Sequence, residues 1–151
     1  MVKVKVTGVV ATALRGVGVD LEQEEDAAGF LGVRIERNEQ NLIELKQEGL
    51  IDRGCEALGL DSNATNKWTT AESTPLVRDE NGEAFSEEFN YSSVIGMLLY
   101  LSGHSRPDIA YAVNCAARYM FSPRAIHAKA VKRIGRYLKA TRSRGLVLNP
   151  T

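Results

Sequence analysis

The stretch that decides the fold is 91-YSSVIGMLLYLSGHSRPDIAYAVN-114. Two apolar runs flank a polar corner, and the spacing of their apolar residues predicts a helix on each side. We expect Gly103 to end the first helix and Ser105 to cap the second. Pro107 is expected at or near the first helical position, and Asp108 in the first turn complements the helix dipole. The stretch therefore predicts a bend between two packed helices.

The same corner holds residue types that occur in nucleophilic sites, namely His104, Ser105 and Asp108. A nucleophile, a base and an orienting group must form a connected chain of hydrogen bonds. Three residues within five positions on a bend do not indicate that geometry. Arg106 is expected either to pair with Asp108 or to contact a phosphate, and the sequence leaves both open. We predict a structural corner of Arg106, Pro107 and Asp108, and no catalytic residue.

A third helix follows, with Ser122 predicted as its N-cap and Pro123 at its first position. Its predicted inward residues are Ile126, Ala130, Ile134, Tyr137 and Leu138. Together with the helices on either side of the corner, this gives a compact three-helix unit.

The N-terminal half has the mixed character of an α+β protein. Val2, Val4 and Val6 alternate with polar residues, which favours a strand over the alternative of a signal peptide. Residues 29–47, GFLGVRIERNEQNLIELKQ, predict a β-hairpin that turns near residues 38–41. Residues 46–63 predict a helix that ends at Gly59.

A long polar excursion is predicted over residues 60–88. Trp68 is its only large apolar residue before Leu76, and we expect it to anchor the segment. The fold class predicted overall is α+β: a small N-terminal β-hairpin or sheet remnant, then a mainly helical bundle of three to four helices.

Composition excludes several classes of protein. The chain has 151 residues, which suits one domain. Its two cysteines, Cys55 and Cys115, are too few for a disulfide framework and lack metal-ligand spacing. No apolar run approaches the roughly 20 residues of a membrane helix. We expect an intracellular protein, in the cytoplasm or the nucleus.

Charge is distributed unevenly although the net charge is zero. Residues 1–90 hold 9 basic and 18 acidic side chains, whereas residues 91–151 hold 10 basic side chains and a single acid, Asp108. Such asymmetry suggests a basic surface for an anionic partner. The alternative is that the acidic half neutralises the basic half within one fold.

The basic residues of the third predicted helix form one stripe, since a helix turns about 100° per residue. Phosphate contacts by such a stripe give affinity without sequence information. The predicted nucleic-acid-binding residues are Lys129, Lys132, Arg133, Arg136, Lys139 and Arg142.

Three segments resemble the reverse transcriptase of Ty1/copia-type retrotransposons. They are GFLGVRIERN (29–38), YSSVIGMLLYLSGHSRPDIAYAVN (91–114) and ARYMFSPRAIHAKAVKRIGRYLKATRSRGLVL (117–148). The resemblance covers residues 29 to 150 and implies a fragment of a Pol polyprotein. The fingers and most of the palm, with the paired catalytic aspartates that bind Mg²⁺ in the intact polymerase, would precede residue 1.

The resemblance also implies roles for segments of the chain. Residues 1–46 would be a partial palm with a primer-grip-like hairpin containing Phe30, Leu31 and Gly32. Residues 47–145 would be a thumb-like helical region, and residues 146–151 the start of the link to a missing RNase H domain. The implied partners are an RNA/DNA template–primer duplex and the missing parts of the polyprotein, with no membrane and no small-molecule substrate. No cofactor is expected in the fragment itself.

The chain alone is thus expected to bind nucleic acid without polymerase activity. The alternative is a decayed or host-adopted helical module that binds a protein.

Overall fold

The computed structural model describes the backbone of residues 4–6 and 21–23, and residues 32–149 in full. Two parallel strands pair with each other, β1 (Val4–Val6) and β2 (Leu21–Gln23). An antiparallel sheet has the order β3 (Arg34–Arg37), β4 (Ile43–Lys46), β5 (Leu146–Leu148). The helices are α1 (Glu48–Ala57), α2 (Tyr91–His104), α3 (Ala110–Ala117) and α4 (Ala125–Ala140). A short 3₁₀ turn, Pro107–Ile109, precedes α3. The predicted α+β class is confirmed.

The predicted β-hairpin is present as β3 and β4. The Asn38 side chain accepts hydrogen bonds from the backbone N–H groups of Gln40 and Leu42, at 3.0 and 2.9 Å. Asn41 adopts a positive φ of 63°, which asparagine tolerates well in turns. A third strand, β5, joins this sheet by pairing with β4 across about 100 positions of the chain.

The core lies between the helices. The apolar residues of α2 are its centre, because Val94, Ile95, Leu98 and Leu101 are fully buried. They pack with residues of α1, the 3₁₀ turn, α3 and α4, including Ile51, Ile109, Val113, Val131, Ile134 and Leu138. α2 begins at an N-cap, Asn90, whose side chain accepts the Ser93 N–H at 2.9 Å. Leu99, on the same helix, is 38% exposed.

The third predicted helix, α4, differs from its prediction at two points. It begins at Ala125 with Arg124 as N-cap, so Ser122 and Pro123 lie before it. Its buried residues are His127, Ala128, Val131, Ile134, Gly135, Tyr137 and Leu138. Ile126 is exposed and Ala130 is only half-buried, and the helices that α4 packs against are α1 and α3.

The segment between α1 and α2 is the predicted polar excursion. Gly59, with a φ of 64°, follows the end of α1 as predicted. The rings of Phe85 and Phe89 meet edge to face, 5.2 Å apart, and Leu76 packs against the core. Trp68 is 69% exposed, so the prediction that it anchors the excursion is wrong.

Candidate nucleic-acid interface

The polar corner is organised around a buried arginine. The Arg106 side chain is 1% exposed. Its Nε and Nη2 donate to the two carboxylate oxygens of Asp108, at 3.0 and 2.8 Å. Nη1 donates to the Thr141 carbonyl at 3.0 Å, and Nη2 also donates to the Thr141 hydroxyl at 2.7 Å. Of the two roles the sequence left open, the structure shows the pair with Asp108.

Asp108 completes a network that joins the corner to the end of α4. It accepts a hydrogen bond from the Tyr137 hydroxyl at 2.7 Å. Burial acts to raise the pKa of Asp108, but the hydrogen bonds from Arg106 and Tyr137 outweigh it, so the pKa is lowered. A charged carboxylate with three donors is the stable form here. Pro107 stands at the start of the 3₁₀ turn, as predicted.

The other two polar residues of the corner do not join this network. The Ser105 hydroxyl donates to the Gln47 side-chain oxygen at 2.7 Å, so it does not cap the next helix as predicted. His104 Nδ1 donates to the Tyr100 carbonyl at 2.8 Å, and the two rings stack. The geometry is that of a packed corner rather than a catalytic chain of hydrogen bonds.

The predicted basic stripe lies on α4, opposite its buried face. Helix α4 contains no acidic residue. Lys129 is exposed, and Lys132, Arg133, Arg136 and Lys139 are partly buried. Their partial burial comes from the polar excursion, which crosses over this side of the helix.

Three stripe residues bind oxygen atoms of the excursion. Lys132 pairs with the Glu88 carboxylate, and the Lys139 ammonium donates to the Asp61 carbonyl. Arg133 donates to the Thr69 hydroxyl at 2.7 Å and to the Glu72 carboxylate at 3.4 Å. The hydrogen bonds from Lys132 and Ser86 lower the pKa of Glu88. The acidic half of the chain thus meets the basic half at this face.

Arg142, just beyond α4, binds α1 rather than the excursion. Its Nε and Nη2 each lie 2.6 Å from one carboxylate oxygen of Asp52, and Nη1 lies 3.5 Å from Glu48. The hydrogen bond to Asp52 is the main reason that the pKa of Arg142 is raised and that of Asp52 lowered. This pair helps to fix α1 against the end of α4.

Two stripe residues have no acidic partner within the part of the chain that the structure describes. Within residues 32–149, no ion pair involves Lys129 or Arg136. The buried Nε–H groups of Arg133 and Arg136 have no hydrogen-bond acceptor among those residues. Lys129 is exposed, so its ammonium presents N–H donors that a further oxygen ligand could reach.

The primer-grip-like residues are only partly within the described chain, because Phe30 and Leu31 lie outside it. Gly32 has a φ of 73°, and nothing lies within 4 Å of the place where a side chain would begin. Its backbone conformation favours glycine.

Sequence reasoning missed His127, which fastens the excursion to α4. The ring is buried, accepts the Arg124 N–H at Nδ1 (2.9 Å) and donates from Nε2 to the Val77 carbonyl (2.9 Å). It stacks on Tyr119 with ring centroids 4.0 Å apart. Its position as the third residue of a helix, where a side chain can reach back to the N-cap, was the available signal.

The described residues include neither a metal site nor a membrane-spanning helix. No group of three or more His, Cys, Asp or Glu side chains is placed to hold a metal ion. No helix there has the length and apolar character needed to cross a bilayer.

Comparison with known proteins places the chain among transposon proteins. No family model and no solved structure matches it. It is 30% identical over 114 residues to a putative transposon Ty5-1 protein of Saccharomyces cerevisiae. It is 30% identical over 128 residues to the retrovirus-related Pol polyprotein from transposon RE2 of Arabidopsis thaliana, and 33% identical over 129 residues to that from transposon TNT 1-94 of Nicotiana tabacum.

These matches cover most of this chain but a small part of each relative. They include 76%, 85% and 81% of the chain, against 37%, 9% and 10% of the respective relatives. The chain therefore corresponds to one segment of much longer proteins.

Proposed function

Since the chain belongs to the retrotransposon Pol polyproteins, as a segment of that longer type of protein, we propose that it is the part of a reverse transcriptase that holds the RNA/DNA template–primer duplex. It would act with the palm, fingers and RNase H parts of such a polyprotein. The described residues do not fit a magnesium site, because no acidic cluster of the required kind occurs among them. No chemical step is assigned to this chain.

The observation that carries the proposal is the basic face of α4. It presents Lys129, Lys132, Arg133, Arg136 and Lys139 over more than two turns of helix, with no acid on the helix. Such spacing suits successive phosphate groups, which are recognised by charge and by N–H donors. The oxygen ligands that three of these cations already bind support the same chemistry.

Sequence-independent contacts suit the holding of a duplex during synthesis. A polymerase must stay bound while the hybrid moves past it. Contacts to base edges would hinder this movement because they depend on the sequence. Phosphate contacts position the duplex without reading its sequence.

The experiment measures binding of the purified chain to a fluorescent RNA/DNA hybrid at a series of salt concentrations. The triple variant Lys132→Gln, Arg133→Gln, Arg136→Gln should weaken binding at least about tenfold and lower the slope of log affinity against log salt by about two to three. Arg37→Gln removes an exposed cation on β3 and is the control. It should change neither the affinity nor the salt dependence strongly. Equal binding by the triple variant and wild type, with both folded by circular dichroism, would refute the proposal.

A primer-extension assay with magnesium checks the other half of the proposal. We expect no DNA synthesis from the chain alone. Measurable synthesis would show that a catalytic site lies within it.

A protein-binding module is the second candidate, and exposed aromatic residues favour it. Phe121 is 96% exposed and Tyr111 is also exposed. Aromatic side chains are common energetic centres of protein interfaces. Loss of a co-purifying partner on Phe121→Ser, with hybrid binding absent in wild type, would favour this candidate over the first.

A further inference from the structure

The excursion that covers the basic face is itself acidic. Residues 61–88, which we call the strap, contain seven acidic and two basic side chains. Their contacts with α4 use carboxylate, carbonyl and hydroxyl oxygens: Glu88 on Lys132, Glu72 and Thr69 on Arg133, and the Asp61 carbonyl on Lys139. The strap therefore presents to α4 the same kind of ligand atoms that a phosphate backbone would present.

The strap is fixed at some points and loosely held at others. Leu60, Leu76 and Phe85 pack against the core, and His127 donates to the Val77 carbonyl. These contacts bracket residues 61–75, within which the small side chain of Ala71 also packs against the core. That segment has no helix or strand, and its residues are mostly exposed.

Few interactions hold residues 61–75 in place. Within the described residues, this segment has one backbone–backbone hydrogen bond, from the Ala64 N–H to the Asp61 carbonyl. The Asn63 N–H also donates to the Asp61 side chain at 3.0 Å, and the Asp61 carbonyl also accepts from Lys139. A cleft of about 330 Å³ lies between residues 70–77 and helices α3 and α4, so this part of the strap is not closely packed. Exposed segments with few hydrogen bonds open at low free-energy cost.

The ion pairs of the strap are weak for the same reason. The Glu72 and Glu88 side chains are each more than half exposed. Exposed pairs contribute little to stability because water and salt screen them. A ligand with many phosphates offers several charges at once, so it competes well against such single pairs.

We propose that the acidic strap is an autoinhibitory segment that occupies the polyanion-binding face of α4 and must be displaced, chiefly at residues 61–75, when nucleic acid binds. This inference rests on the proposed function, because it concerns regulation of the same face. The strap lowers the affinity for any polyanion and leaves the face open only to a ligand that replaces several contacts together.

The first test removes the competing carboxylates. Glu72→Gln with Glu88→Gln should tighten binding to the RNA/DNA hybrid about three- to tenfold. The expected change is modest because breaking an exposed ion pair alters an equilibrium constant only modestly. Glu39→Gln with Glu56→Gln is the matched control, because both acids are exposed and the change in net charge is identical. Equal tightening by the control would show a net-charge effect and overturn the proposal.

The second test asks whether Glu72 masks Arg133 in particular. Arg133→Gln should weaken hybrid binding more in the Glu72→Gln background than in the wild-type background, since the unmasked guanidinium then contributes fully. Lys129→Gln, at a cation with no acidic partner among residues 32–149, should cost the same in both backgrounds. Equal losses for Arg133→Gln in both backgrounds would overturn the proposal.

The two proposals fail in different ways. If neither the wild type nor the Glu72→Gln, Glu88→Gln variant binds the hybrid, the nucleic-acid function itself fails and the strap proposal falls with it. If both bind with equal affinity, the function stands and the autoinhibitory role is wrong.

Discussion

Two arginine–aspartate pairs form the same bidentate contact, here called a fork, but differ in burial. Arg106 donates to both oxygens of Asp108 at 3.0 and 2.8 Å, and Arg142 meets both oxygens of Asp52 at 2.6 Å. The side chains of the first pair are 1% and 38% exposed, and those of the second are 47% and 52% exposed. The shorter fork is the more exposed one.

Burial, and not bond length, decides whether such a pair stabilises the fold or can exchange its anion. A buried guanidinium that loses its partner keeps the full cost of its desolvation. An exposed guanidinium is rehydrated instead, or takes another anion. The Arg106 pair is therefore structural, whereas the exposed pairs around α4 are open to exchange for phosphate.

The largest effect is expected from Asp108→Ala. The variant leaves Thr141 as the one hydrogen-bond acceptor of the buried Arg106 side chain among the described residues, and it removes the acceptor of the Tyr137 hydroxyl. We expect a loss of about 3–5 kcal/mol in the free energy of unfolding, measured by urea denaturation. Asp108→Asn retains one acceptor oxygen and should lose less. A loss below about 1 kcal/mol for the alanine variant would show that burial does not distinguish the two forks.

The next effect is a dependence of stability on pH. The pKa of Asp108 is lower in the folded chain than its ordinary value of 3.8. Its contribution to stability is therefore complete above the unfolded pKa and is lost as the pH falls through the folded pKa. Urea unfolding between about pH 6 and about pH 2 should show a decline below about pH 4 that is shallower in Asp108→Asn. Identical profiles for the two proteins would contradict this role.

A smaller effect is expected from Asp52→Ala at the exposed fork. Although the Asp52–Arg142 contacts are the shorter ones, the loss in the free energy of unfolding should stay below about 1 kcal/mol. This loss should shrink further between about 0.1 M and about 1 M salt. The Asp108→Ala loss should respond to salt far less, because the Arg106 side chain is buried. A loss for Asp52→Ala as large as that for Asp108→Ala would show that burial does not set the contribution of these pairs to stability.

The smallest effect on stability is expected for the strap variant that is proposed to tighten nucleic-acid binding. Glu72→Gln with Glu88→Gln should change the free energy of unfolding by no more than about 0.5 kcal/mol, as for other surface substitutions. Thermal unfolding monitored by circular dichroism measures it. A marked destabilisation would mean that the strap is an integral part of the fold and does not detach readily.

Local patterns predicted the elements that depend on local physics. The turn at Asn38–Asn41, the end of α1 at Gly59 and the corner at Pro107 all follow from residues a few positions apart. The errors arose where a nonlocal contact overrides a local preference. Ser105 could have capped a helix, but it binds Gln47, which lies 58 residues away.

The candidate site divides in the same way. The apolar face and the basic face of α4 can be read from the sequence, because helical periodicity is set within a few residues. The partner of each cation, in contrast, depends on tertiary contacts. Lys132, Arg133 and Arg142 find acids that lie 44, 61 and 90 positions away along the chain. Such contacts depend on the path of the whole chain around its core, and no local spacing of residues encodes that path.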